Sequence, residues 1–132
     1  MTGILLVSKG PLARGMYESV KEEYFQNPQQ FDYLIYSDSY RKDLMKKINE
    51  LNDGHGVIIL SDMMGEAPSN YASLLLDKGV HMVSGMNLSM VLFLLRNREN
   101  GIDFEKITQA GKDGIVHMNQ ILVLEPDVRY ES

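Results

Sequence analysis

Val57-Ile58-Ile59-Leu60 is a four-residue apolar run that stops abruptly at Ser61-Asp62, and the arrangement recurs along the chain. Ile4-Leu5-Leu6-Val7 ends at Ser8-Lys9-Gly10-Pro11, Phe31-Asp32-Tyr33-Leu34-Ile35-Tyr36 at Ser37-Asp38, and Val80-His81-Met82-Val83 at Ser84-Gly85. Ile4–Val7 and Val57–Leu60, short, unbroken by polar alternation and bounded by turn formers, carry the signature of parallel strands buried on both faces, while Phe31–Tyr36 is rich in aromatic and branched residues and partly alternating. After each run, apolar residues recur at helical spacing. Leu12, Ala13, Met16, Val20 and Tyr24 follow the first, and Leu44, Met45, Ile48 and Leu51 the second. Ala72, Leu75 and Leu76 follow the third, behind Ala67-Pro68-Ser69-Asn70, and Leu88, Val91, Leu92 and Leu95 follow the fourth. Such stripes predict one buried face per helix. Strands alternating with helices predict a three-layer αβα, doubly wound α/β domain with four parallel strands.

A fifth helix is expected over about Phe104 to Gly111, and Arg96-Asn97-Arg98-Glu99-Asn100-Gly101 before it reads as a polar loop. Gln120-Ile121-Leu122-Val123-Leu124 reads as a last strand, antiparallel at an edge of the sheet. An apolar edge strand would be exposed in a monomer, so it predicts a role in dimerisation. From Glu125-Pro126 onward the chain reads as a loose tail.

At 132 residues, with 44% hydrophobic and 23% charged content, the sequence fits one globular domain spanning 1–132. Thirteen basic against 18 acidic residues leave a net charge of −5 with no basic cluster, which argues against a nucleic-acid partner. There is no cysteine, hence no disulfide and no thiolate metal site. No apolar window approaches the ~20 residues of a membrane helix, and the N-terminus lacks a cationic leader. These features predict a cytoplasmic protein with no direct membrane insertion. Nine methionines fall mostly on apolar helix faces or turns, which favours core filling, although Met63-Met64 would make an apolar contact for a protein partner.

In open α/β sheets the ligand crevice lies at the carboxyl ends of the strands, where the strand order reverses. Strands one and three should be neighbours, bringing Lys9 near Asp62. The helix opening at Ala67-Pro68-Ser69 would aim its free N–H groups into the same place. A carboxylate, a cation and a helix N-terminus suit an anion-handling pocket. The bland alternative, a turn-capping Asp62 and a solvated Lys9, is about as probable on spacing alone. A receiver domain would need an acidic pair after strand one, and Ser8-Lys9-Gly10 supplies none.

Three segments resemble the IIA component of the mannose/fructose/sorbose family of the bacterial phosphoenolpyruvate:sugar phosphotransferase system (PTS). Ile4-Leu5-Leu6-Val7-Ser8-Lys9-Gly10 corresponds to a strand ending in His-Gly. Asp62-Met63-Met64-Gly65-Glu66-Ala67-Pro68-Ser69-Asn70 corresponds to Asp, two variable residues, Gly-Gly-Ser/Thr-Pro, one more residue and Asn. Val83-Ser84-Gly85-Met86-Asn87-Leu88-Ser89-Met90 is similar to a Gly-x-Asn-Leu-Pro-Met turn. The likeness extends to Gly111-Lys112-Asp113-Gly114.

The resemblance implies a mannose-type EIIA domain that takes a phosphoryl group from the phosphocarrier HPr onto a histidine and passes it to a IIB-type protein. It implies an aspartate, here Asp62, that orients that histidine, and an anion pocket at Gly10, Gly65, Ala67, Ser69 and Asn87. It implies no cofactor and no metal, a homodimer formed in some members through exchanged C-terminal strands, and a place peripheral to a membrane sugar-transport complex.

The phosphohistidine position, however, is occupied by Lys9, the second motif glycine by Glu66 and the hydroxyl residue by Ala67. A lysine side chain with its usual pKa near 10.4 is an ammonium at neutral pH, without a lone pair for phosphorus. His55 and His81 fall at the entrances of strands three and four, on the order of 15 Å from the site along a strand of that length. The position of His117, before the last predicted strand, is not fixed by the sequence. All three read as surface or packing residues. Two functions therefore stand side by side: a IIA phosphocarrier with an atypical site, and a phosphorylation-incompetent IIA-like module with a Lys9–Asp62 ion pair and a regulatory or structural binding role.

Overall fold

The structure is a computed structural model that describes residues 1–63 and 79–124. The predicted helix opening at Ala67 and the predicted tail lie outside the described residues. The elements are β1 (Gly3–Ser8), α1 (Leu12–Glu23), β2 (Phe31–Ile35), α2 (Tyr40–Leu51), β3 (Val57–Ser61), β4 (Val80–Ser84), α3 (Leu88–Asn97), a 3₁₀ turn (Arg98–Asn100), α4 (Phe104–Asp113) and α5 (Met118–Leu124). The sheet order is β2-β1-β3-β4 and every pairing is parallel. The chain thus moves to one side of β1 for β2 and to the other for β3, so the order reverses between β1 and β3. The expected doubly wound α/β arrangement is present.

Both central strands are apolar on both faces because both faces are covered. Ile4, Leu6, Ile58 and Leu60 pack with Ala13 and Val20 of α1, Val91, Leu94 and Leu95 of α3, and Ile107 of α4. On the other face Leu5, Val7, Val57 and Ile59 pack with Leu44, Ile48 and Leu51 of α2. Each such side chain, fully buried, stabilises the fold by about 1.5–3 kcal/mol. That is why continuous apolar runs, rather than alternation, mark these strands.

The amino ends of the strands are tied by one cation. Arg98 is 6% exposed, and its guanidinium donates to the backbone carbonyls of Thr2 (3.3 Å), Gln30 (3.2 Å) and Gln29 (2.5 Å). Burial pulls its pKa below the usual guanidinium value, against the opposing field of Glu99. The segment expected to be a polar loop is therefore the end of α3 plus a 3₁₀ turn, with one residue turned inward.

The second correction concerns the C-terminus. Residues 118–124 form α5, not the predicted antiparallel edge strand. A short apolar run does not distinguish helix from strand by periodicity. A strand needs a neighbour for its backbone N–H and C=O groups, whereas a helix satisfies them within itself. In the single chain no neighbour is paired with this segment among the described residues, and the helix results.

Candidate functional site

The carboxyl edge of the sheet is built from three serines, each closing an apolar run. Ser8 is fully buried; its hydroxyl accepts from the Ala13 amide (2.9 Å) and donates to the Gly10 carbonyl (2.5 Å). The hydroxyl caps α1 and folds the Ser8-Lys9-Gly10-Pro11 turn so that Lys9 and Gly10 stand exposed. Ser61, 1% exposed, shares a 2.8 Å hydrogen bond with Ser84, the residue directly opposite it in the β3–β4 register. Sequence reasoning passed over this row of hydroxyls. The signal was nevertheless there: Leu-Leu-Val-Ser, Ile-Ile-Leu-Ser and His-Met-Val-Ser.

Lys9 follows β1 and Asp62 follows β3, so the two flank the point where the strand order reverses. The Asp62 amide donates to the Val7 carbonyl (3.3 Å), continuing the β1–β3 ladder by one residue. Its carboxylate accepts from the Met63 amide (2.9 Å). Lys9 is exposed and has an interaction partner of its own within the chain. Two apolar side chains on the segments that follow these strands are exposed: Leu12, the first residue of α1, and Met63, next to Asp62 and 73% exposed. Tyr36 lies beside them, its amide donating to the Ser8 carbonyl (2.9 Å). Its ring packs on Tyr40 at 4.0 Å between centroids. Burial, together with a hydrogen bond to Tyr36, pushes the Tyr40 phenol well above its ordinary pKa.

Asn87 holds structure at the next strand end. Its side-chain oxygen caps α3 by accepting from the Met90 amide (3.0 Å), and its nitrogen donates to the Gly111 carbonyl (2.7 Å), tying α4 to α3. Gly10 is open: a methyl group there would meet nothing within 4 Å. Gly65, Ala67 and Ser69 lie outside the described residues. Among the described residues, no three His, Asp or Glu side chains are grouped to hold a metal. No helix there is long and apolar enough to cross a membrane.

The histidines fall elsewhere. His55 is exposed, its ring nitrogen 2.9 Å from Asp53, in the turn that enters β3. His81, on β4, stacks on Phe104 at 4.5 Å. His117 is exposed just before α5. A cleft of about 330 Å³ between α3 and α4, lined by Phe93, Asn97, Ile102 and Lys106, lies away from this edge, next to the Arg98 end of the fold.

With the reversal between β1 and β3 and the two strand ends in place, the chain can be compared with known families. The family described as PTS system fructose IIA component, of the mannose type, matches residues 3–110. This chain belongs to that family. The match takes in β1 through most of α4, and with them both flanks of the crevice.

Solved structures agree on the fold of this mannose-type IIA domain. A PTS IIA protein associated with the fucose utilization operon of Streptococcus pneumoniae is 22% identical, with 92% of this chain and 96% of that one covered and a TM-score of 0.79. The phosphotransferase system component EIIA of Streptococcus agalactiae is also 22% identical, covering 91% and 99%, with a TM-score of 0.75. The mannose/sorbose specific IIA subunit of Enterococcus faecalis is 18% identical, covering 87% and 92%, with a TM-score of 0.70. No curated protein matches significantly.

Proposed function

We propose that this chain is a IIA-type component of a phosphoenolpyruvate-dependent sugar phosphotransferase system that no longer accepts the phosphoryl group, and acts as a binding module for its partners. The observation that carries this reading is Lys9, an exposed lysine on the turn after β1, where the family places its phosphohistidine. Phosphoryl transfer requires a nucleophile with a free electron pair at neutral pH, which an imidazole has and an ammonium lacks. Asp62 then has no imidazole to orient. The partners are HPr- and IIB-type proteins, reached through the exposed Leu12 and Met63 beside Lys9. Homodimerisation and a cytoplasmic place, peripheral to a membrane sugar-transport complex, belong to the same proposal. The second reading, a working phosphocarrier with an atypical acceptor, rests on family membership alone.

Restoring the family residues tests the assignment. With phosphoenolpyruvate, enzyme I and HPr, Lys9→His is expected to be labelled in a minor fraction of molecules, because Glu66 and Ala67 remain. Adding Glu66→Gly and Ala67→Ser is expected to raise the label several-fold. A folded triple variant that stays unlabelled would mean that Lys9 does not occupy the acceptor position.

A further inference from the structure

Two of the helices carry their charges against their own dipoles. The amino end of a helix holds partial positive charge and favours acids, and the carboxyl end favours cations. Helices α3 and α4 follow that rule. α4 has the Asp103 cap, Glu105 in its first turn and Lys112 in its last, and α3 ends with Arg96. In α1 the first turn has no acid and holds Arg14, while Glu22 and Glu23 close the helix beside Lys21. In α2 the first turn holds Arg41 and Lys42 with Asp43, and the last turn has Glu50 and no cation. Asp43 is engaged by the Ser39 hydroxyl at 2.8 Å. Lys42 also stands one turn before Lys46, a like-charge spacing that disfavours the helix. Arg14, Arg41 and Lys42 are exposed, and among the described residues none of them has an ion-pair partner. Charges that lower the stability of the chain on its own are a mark of residues kept for function.

These cations share one end of the fold. α1 and α2 each follow a strand of the parallel sheet, so both helices open on its carboxyl edge. α1 packs on the Ile4 and Leu6 face and α2 on the Leu5 and Val7 face, so the cations flank the sheet from its two sides. With the thickness of a packed sheet between them, they cannot close together on one small anion, and they suit an extended surface. The same edge presents Leu12, 51% exposed, Met63 and the half-buried Tyr36. Tyrosine, methionine and arginine are the residues enriched where proteins meet. The exposed Asp38 lies among the cations, and the whole chain carries −5. Both features repel a dense polyanion such as a nucleic acid or an anionic membrane, and tolerate a protein whose carboxylates are spaced.

We propose that this edge is a docking surface selective for a protein that presents carboxylates, with Arg14, Arg41 and Lys42 as its cationic rim and Leu12, Tyr36 and Met63 as its apolar contacts. The inference rests on the binding-module reading above and adds the charge of the partner's surface. Rim charges act mainly on encounter rate and partner choice, so they draw in an acidic surface and turn away a basic one. The acids at the far end of α1, Glu22 and Glu23, sharpen the contrast between the two ends of the fold and orient the approach.

Stability and binding test it together. Lys42→Glu removes a charge that opposes the dipole and faces Lys46 with an acid, so it is expected to raise the melting temperature by a few degrees. A fall would give Lys42 a structural role and overturn the argument from the dipoles. Binding is read from backbone amide shifts of the full chain titrated with short poly-L-glutamate. Shifts are expected at residues 9–14 and 36–43, and affinity is expected to fall roughly tenfold on going to about 0.3 M salt. The double variant Arg14→Gln/Lys42→Glu is expected to weaken binding at least about fivefold. Lys21→Gln/Lys106→Glu changes the net charge equally on exposed cations elsewhere, and should stay within about twofold. Equal losses in the two double variants, no shifts at this edge, or the same shifts with poly-L-lysine would each overturn the proposal. So would a DNA duplex or phosphatidylserine vesicles that displace poly-L-glutamate at lower charge concentration. HPr- and IIB-type proteins, titrated in the same way, separate this inference from the reading beneath it. If they bind and Arg14→Gln/Lys42→Glu changes nothing, the docking surface is overturned and the partner assignment stands. If neither binds while poly-L-glutamate does, the partner assignment is lost and the docking surface stands.

Discussion

Replacing Gly56 with alanine is expected to destabilise the protein by roughly 3 kcal/mol or more, a drop in melting temperature on the order of 10 °C. Gly56 sits at φ +85°, where an L side chain costs about 1–2 kcal/mol. A Cβ there would also stand 2.4 Å from the Gly79 carbonyl oxygen and 3.1 Å from its carbon. Overpacking adds about 1–3 kcal/mol, and here the obstacle is backbone that cannot rotate away. Nor can either partner retreat, because the Val57 amide donates to the Gly79 carbonyl (2.7 Å) and the Gly3 amide to the Gly56 carbonyl (2.9 Å). Gly54→Ala is the control. Its φ is +105°, but a Cβ there meets nothing within 4 Å, so only the backbone term of about 1–2 kcal/mol should appear. Denaturant unfolding checks both. Equal losses at the two positions would contradict the close approach of β3 and β4 at their entrances.

Arg98→Leu is expected to cost about 2–4 kcal/mol, because it takes a charged donor away from buried backbone carbonyls, of which, among the described residues, Gln30 alone keeps a second donor, the Ile4 amide. The guanidinium satisfies carbonyls of three residues that precede β1 and β2, and leucine would leave all three without that donor. An unsatisfied buried acceptor costs about 1–3 kcal/mol. Water reaching the site would reduce the loss, which is why the expected total stays below the sum of three. Arg98→Lys supplies one compact donor group instead of a planar fork and should fall between the two. Equilibrium unfolding of both variants, with loss below about 1 kcal/mol for the leucine change, would refute the role given to this residue.

The fold was largely legible in the sequence because its strands are buried on both faces. Ile4–Val7 and Val57–Leu60 have no polar face to confuse the pattern, and their helices carry single apolar stripes. What failed depended on partners distant in sequence. Nothing local marks Arg98 as buried, since its three acceptors come from residues 2, 29 and 30. The 118–124 segment failed for a different reason. Its residues suit a strand, but a strand is defined by a neighbour, and the single chain pairs none with it. At the site, position was easier to read than role. Lys9 and Asp62 were placed correctly at the ends of adjacent strands, because parallel strand order follows from the alternation. Asn87, named for the anion pocket, caps α3, as its place before a helical stripe allows, and also donates to the Gly111 carbonyl, a contact distant in sequence that no spacing argument could weigh. The serines were missed because a hydroxyl ending an apolar run looks like an ordinary boundary.

The central claim is that this member of the mannose-type IIA family carries no phosphoryl acceptor at its crevice. Intact mass of the unmodified chain, after incubation with phosphoenolpyruvate, enzyme I and HPr at neutral pH, tests it directly. The unmodified mass alone is expected. A stoichiometric gain of one phosphoryl group, acid-labile and mapped to any histidine, His117 included, would contradict it.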